Sequence, residues 1–430
     1  MEQFLIIIIF LMSIVVLRLT GFRFFSINAH PLSLLIIIQV FMLTVVGTVA
    51  LGIFDMPMSY GVDQYITSAT RNEVIFLTFS SLAFLFLGLT ILSLLKIIQT
   101  FEYVVNESDI YLLKRLTYIS AAILTLKLLS VSDIPLLLII KGDVQAAAEA
   151  KVKILTNQTG ITIFGLNYII RSFTSYIFIA SAFMYAYAKQ NKLIRNIFLF
   201  NIMLALINAL YDVQKQAVVL LALLTFWIFY TRKGEIQFLI KGAFLAVGLS
   251  TLMFIVTLGS KFDFSVINDV FQRVFLGQSE GMFFIRQYIN PSSNYAWLGF
   301  PLAGMLNLPQ IDPAAQVIKT LFPGAGDSWL NSNTYYIAHA WSIFGDSAIF
   351  FGPMFVIFNI ALLLLIGQYF INKKSTIFYP IVFWFIVKMP LANIFTEFLW
   401  FKALLDALIN LAFVSFLIFI LKHRDLSEKQ

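Results

Sequence analysis

Apolar runs long enough to cross a bilayer recur along this chain from Leu5 to Leu421, and one long polar and aromatic stretch, 259–346, interrupts them. A spanning helix needs about 20 predominantly apolar residues. On that measure the pattern predicts eleven spans, near 3–19, 32–54, 74–98, 116–138, 164–188, 194–211, 215–231, 237–258, 347–371, 376–396 and 402–421. The run Phe4 to Leu17 has no basic region before it and no small-residue cleavage site after it, so it reads as a retained span rather than a signal peptide. The expected fold class is all-α, a polytopic membrane bundle with one large extramembrane loop. Three parts follow: a bundle over 1–258, the loop over 259–346, and the last spans with a tail over 347–430.

The loops between these runs differ in charge. Alternate loops carry Arg18 and Arg23; Lys96, Lys114 and Arg115; Lys189, Lys192 and Arg195; Arg232 and Lys233; Lys373 and Lys374; Lys422 and Arg424. The positive-inside rule assigns this set to the cytoplasm. An odd number of spans then puts the N-terminus and the 259–346 loop outside and the C-terminus inside. That loop opens on an amphipathic stretch, Phe264 to Leu276, and is punctuated by Pro291, Pro301, Pro309, Pro313 and Pro323. Disordered segments are poor in aromatic residues, whereas this one holds Tyr288, Tyr295, Trp297, Trp329 and Trp341 among others. It is expected to form an ordered cap of short helices at the membrane surface. Its aromatic rings suit the headgroup region and can also stack on sugars.

Composition then removes several chemistries. Hydrophobic residues are 60% of the chain and charged residues 12%, too little charge to cover a soluble surface. No cysteine is present, which excludes disulfides, thiolate metal sites and cysteine nucleophiles. The net charge of +7 belongs to the cytoplasmic loops and is no pointer to nucleic acid. No phosphate-binding glycine loop, dinucleotide fingerprint, nucleophile elbow or metal-ligand spacing is found, so neither a cofactor nor a metal is expected.

What remains is a set of ionisable residues that membrane burial makes expensive, at about 2.5–3.5 kcal/mol each on insertion scales. Arg171 lies about two turns into the fifth span, and Lys215 follows the turn Tyr211-Asp212-Val213-Gln214 at a helix start, where the dipole disfavours a cation. A bound anion or a pair with Asp212 accounts for that lysine. Lys127 and Asp133 are spaced to pair with each other, and Lys388 is a further intramembrane cation. The loop supplies Arg273, Glu280, Arg286, Asp327, His339 and Asp346. Gly277 and Gly281 between the two arginines suggest a fold-back that brings both guanidiniums to one place. Arginine donates two parallel hydrogen bonds to a phosphate. Arg171, Lys215, Arg273 and Arg286 together would therefore make a site for a diphosphate, while any single one also fits as an interfacial cation. His339 alone among the three histidines falls at the external face, where an imidazole could take a proton from a hydroxyl.

The overall plan, Asn331-Ser332-Asn333-Thr334-Tyr335, the turn Ile343-Phe344-Gly345-Asp346 before a span containing Gly352, and Asp212-Val213-Gln214-Lys215 at a helix start resemble the Wzy-type O-antigen and oligosaccharide repeat-unit polymerases. The resemblance implies a GT-C-like helical glycosyltransferase of the bacterial inner membrane that uses no metal. Its substrates would be undecaprenyl-diphosphate-linked oligosaccharides, joined at the periplasmic face, with a chain-length regulator as a protein partner left open. It implies Arg273 and Arg286 as diphosphate ligands, Arg171 and Lys215 as further diphosphate contacts, His339 as the base and Glu280 as the alternative base. The 139–163 loop carries the lysines Lys141, Lys151 and Lys153 where the family has arginines, so no donor role is taken for it. Two other readings stay open. An O-antigen ligase shares the architecture, and a flippase or transporter of lipid-linked oligosaccharide would show repeats and broken helices.

Overall fold

The computed structural model describes residues 2–427 except 28, 59–63, 99–102, 156–157, 162, 164, 189–190, 212, 214, 259–271, 299, 301, 324–336, 373–376 and 390–397. Its described residues are all helix and connection, with no sheet. Backbone groups cannot be left unpaired in hydrocarbon, and helices satisfy them internally. In chain order the first helices are α1 (Glu2–Leu19), α2 (Pro31–Gly52, with a π-helical middle), α3 (Ser68–Leu94), α4 (Glu107–Leu129), α5 (Pro135–Ile140) and α6 (Val144–Leu155). They are followed by α7 (Leu166–Tyr187), α8 (Lys192–Leu210), α9 (Lys215–Lys233) and α10 (Gln237–Leu258). The interrupting stretch forms α11 (Gly277–Tyr288), α12 (Pro313–Leu321) and α13 (Ala338–Phe344), and the chain closes with α14 (Ala348–Asn372), α15 (Phe378–Lys388) and α16 (Phe398–Ser427).

Among the described residues seven segments are long and apolar enough to cross a membrane: Glu2–Leu19, Pro31–Gly52, Ser68–Leu94, Leu166–Tyr187, Lys192–Leu210, Ala338–Phe370 and Ala403–Leu421. Each coincides with an expected span. The other four expected spans coincide with helices that fall short of that measure over their described residues. The reasons are local. α4 carries Lys114, Arg115 and Lys127 and stops at Leu129, before the chain turns into Pro135. α15 has only 11 residues.

Local chemistry sets the ends. Thr67 caps α3 by accepting the Thr70 N–H at 3.2 Å, and Asn191 caps α8 by accepting that of Leu193 at 2.8 Å. His30 does the same for α2, its Nδ1 accepting the Leu32 N–H at 3.2 Å. Gly345, at φ +58°, separates α13 from α14.

Two helices organise the packing. α3 has 72% of its span buried and lies against α1, α2 and α14; α7 has 78% buried and lies against α4, α8, α9, α15 and α16. The short α15 touches α2, α14, α7 and α16 and so joins the two groups. α1 and α16 are peripheral, and α1 presents Phe4, Leu11 and Met12 outward. Lipid is as apolar as leucine, so helices in a membrane associate by close fit and by polar contacts. Close fit is visible at Gly88 against Ile357 and at Gly367 against Val382, where a Cβ would collide. Phe10, Phe79 and Phe86 interlock edge to face at 5.3 and 5.6 Å. The short helices α11–α13 pack on this body: α11 lies on α2 and α3, with α12 and α13 against it, and α13 reaches α14.

Candidate functional site

α11 runs unbroken out of a π-helical turn, Gln272–Leu276. Gly277 and Gly281 are helical, so the expected fold-back does not occur. Arg273 and Arg286 lie on one continuous helical rod, with backbones roughly 20 Å apart at 1.5 Å per residue. The side chain of Arg273 lies outside the described residues. α11 packs closely on α2: Gly47 of α2 meets Ser279, whose Oγ donates to the Leu43 carbonyl at 3.1 Å.

The last turn of α11 is fixed to the start of α3. Gln287 donates through Nε2 to the Tyr65 carbonyl at 2.5 Å and accepts the Thr67 N–H at 2.8 Å, while Tyr288 Oη donates to the Tyr65 carbonyl at 2.7 Å. That register brings Arg286 beside Glu73 on the second turn of α3. Arg286 Nη2 lies 2.8 Å from Glu73 Oε2, with the Glu73 side chain 48% exposed and that of Arg286 25%. The guanidinium also lies over the Trp341 ring of α13, 4.7 Å from its centroid. Two N–H donors in this corner, Arg286 Nε and Trp341 Nε1, are buried and have no hydrogen-bond partner among the described residues.

His339 is on α13, two residues before Trp341, and is 5% exposed; Ser342 Oγ donates to its carbonyl at 2.7 Å. Glu280 is partly buried on α11. Arg286, Glu280 and His339 thus sit on two helices that pack on each other.

The remaining candidates belong to a second place, around α7. Arg171 is partly buried, and Tyr168 lies within electrostatic reach of both Arg171 and Asp406. Ser172 Oγ donates to Asp406 Oδ2 at 2.6 Å, Asn410 Nδ2 donates to Asp406 Oδ1 at 2.8 Å, and Lys388 Nζ stands 4.0 Å from Asp406 Oδ2. One turn along α7, Ser175 Oγ accepts from Asn208 Nδ2 at 3.2 Å, and Asn208 Oδ1 accepts from Lys127 Nζ at 2.7 Å. Lys127 also lies over the Tyr211 ring at 4.0 Å. The expected Lys127–Asp133 pair does not form: Asp133 is exposed and takes a hydrogen bond from Ser132. Lys215 begins α9, which packs on α7, but its side chain and Asp212 lie outside the described residues. Asn331–Tyr335 and Asp327 lie outside them too.

The candidates therefore fall into two groups, one under α11–α13 and one around α7. Sequence reasoning missed Glu73 and Asp406. Asp406 had a signal, since it is an ionisable group inside an apolar run, the same criterion that singled out Lys388. Glu73 stands at the edge of its run, where acidic residues are ordinary. Among the described residues no three histidine or acidic side chains gather as metal ligands would. Comparison with protein families, with curated proteins and with solved structures finds no match to this chain.

Proposed function

We propose that this chain is a glycosyltransferase of the bacterial inner membrane that polymerises oligosaccharide repeat units carried on undecaprenyl diphosphate. The observation that carries the reading is the corner where Arg286 meets the Trp341 indole and Glu73 at the interface of α3, α11 and α13, with His339 two residues before Trp341 on α13. In the reaction, an acceptor hydroxyl oxygen attacks the anomeric carbon of the donor sugar. The bond from that carbon to the diphosphate breaks, and its electron pair leaves on the diphosphate oxygen. Arg286 offsets the charge that develops there, as a preorganised cation should. His339 takes the hydroxyl proton, with Glu280 as the alternative acceptor. Both substrates are lipid-linked, so two diphosphates must be held at once. Arg171 and Lys215 in the α7 group suit the second, and Arg273 suits the approach of either along α11.

A second reading is transport of lipid-linked oligosaccharide, favoured by the buried polar pairs Lys127–Asn208 and Ser172–Asp406 inside the helical body. Deleting the gene separates the readings. Loss of a polymerase leaves surface glycan with a single repeat unit, loss of a ligase leaves long polymer on its lipid, and loss of a flippase leaves repeat units at the cytoplasmic face. Complementing the deletion with Arg286→Ala is expected to leave single repeat units while the protein still accumulates in the membrane. Normal chain lengths from that variant would overturn the assignment.

A further inference from the structure

Glu73 is the unexpected member of the Arg286 corner. Its Oε2 lies 2.8 Å from the guanidinium Nη2, and about half of its side chain is exposed. Exposed ion pairs of this kind are weak and open readily. The cation it meets is better covered, and it is held from behind by the Trp341 ring. The pair leaves hydrogen-bonding capacity unused: Arg286 Nε and Trp341 Nε1 are buried donors with no acceptor among the described residues, and Trp341 is 3% exposed. Buried donors without acceptors are rare, and each calls for an explanation. A carboxylate that engages one edge of an arginine and leaves its Nε and a neighbouring indole N–H empty is a poor match for the site. A phosphate group, with more acceptor oxygens in a tetrahedral spread, is a better one.

We propose that Glu73 is the resting counter-ion of Arg286 and that an incoming lipid diphosphate displaces it, its oxygens taking over the guanidinium and the idle donors. This rests on the reading of Arg286 as a diphosphate ligand. Glu73 then sets how tightly the site binds, because each binding event must break the resident pair. Opening it leaves the carboxylate on its exposed side, while the clamps from Gln287 and Tyr288 to Tyr65 and Thr67 hold α11 in place.

The test uses the full-length protein in phosphatidylcholine nanodiscs, titrated with undecaprenyl diphosphate and followed by native mass spectrometry. Glu73→Gln is expected to bind at least about fivefold more tightly than the native chain, and Arg286→Ala at least about tenfold more weakly. Unchanged or weaker binding by Glu73→Gln, with Arg286→Ala defective, overturns the counter-ion proposal and leaves the diphosphate reading standing. Native binding by Arg286→Ala overturns both. Exchanging the charges, Glu73→Arg with Arg286→Glu, guards against a variant that fails to fold. A purely structural pair would survive the exchange and bind as the native chain does, which also overturns the proposal. The proposal expects the exchanged protein to fold and not bind. A parallel titration with phosphatidylglycerol separates the sources of phosphate: an equal gain there for Glu73→Gln would make the ligand an ordinary headgroup and contradict the displacement by diphosphate.

Discussion

Lys127 shows how a single ionisable residue is accommodated inside this bundle. It is 6% exposed, its amine donates to Asn208 at 2.7 Å, and the Tyr211 ring covers it. Asn208 passes the connection to Ser175 of α7, so one amide joins α4, α8 and α7. Polar contacts between membrane helices are worth about 0.6 kcal/mol on average and up to about 1.7, and a buried contact as short as this one belongs at the upper end. Asn208→Ala is therefore expected to cost about 1–2 kcal/mol, read as a lowered unfolding midpoint in detergent, with Ser175→Ala costing less. An unchanged midpoint for Asn208→Ala would mean that the lysine is held by other contacts. At this scale the sequence was informative about kinds of residue and silent about pairs. Arg286, Trp341 and His339 stood out by chemistry and by position between apolar runs. Their neighbours did not, because Glu73 meets Arg286 only through the packing of α11 on α3, which no local pattern encodes. Lys127 was expected to turn to Asp133 along the chain and turns to Asn208 on another helix.

Among the elements, the contact between α2 and α11 carries the most weight, since it seats the short helices on the body. At Gly47 an added Cβ would overlap Ser279 Oγ and the Phe275 carbonyl. Small residues at such crossings let backbones approach. Gly47→Leu is expected to push α11 away and cost about 1–3 kcal/mol, as overpacking does. The same change should speed proteolysis of the 290–323 region while α7 and its neighbours stay protected. Equal proteolysis of the two proteins would show that α11 does not depend on this crossing. Helix positions were largely legible here, because the length of an apolar run is a strong signal. Glycine was misread for a physical reason: Gly277 and Gly281 suggested a turn, yet in a packed helix a missing side chain serves close approach as readily as flexibility. The break after Leu129 was passed over although Ser130, Ser132, Asp133 and Pro135 follow it, and Lys388 and Pro390 already marked the tenth span as interrupted.

As a whole, the molecule is a multi-pass helical body with two polar places in it, one under the short helices at Arg286 and one around α7 at Asp406 and Lys127. Two separate cation-bearing places are what the proposed polymerase, with two lipid-linked substrates to hold, would require. That the chain is all-helical, with apolar helices long enough to cross a membrane, was legible from hydropathy alone, whereas the division of the candidate residues between two places was not, because it depends on which helices adjoin α7 and which adjoin α11. The most direct measurement is elongation by the purified protein in liposomes, supplied only with its undecaprenyl-diphosphate-linked repeat unit. Products are resolved by length. The account predicts a ladder of two or more repeats with release of undecaprenyl diphosphate, and no ladder from Arg286→Ala. A native protein that leaves the repeat unit unextended, or an Arg286→Ala protein that extends it normally, would contradict it.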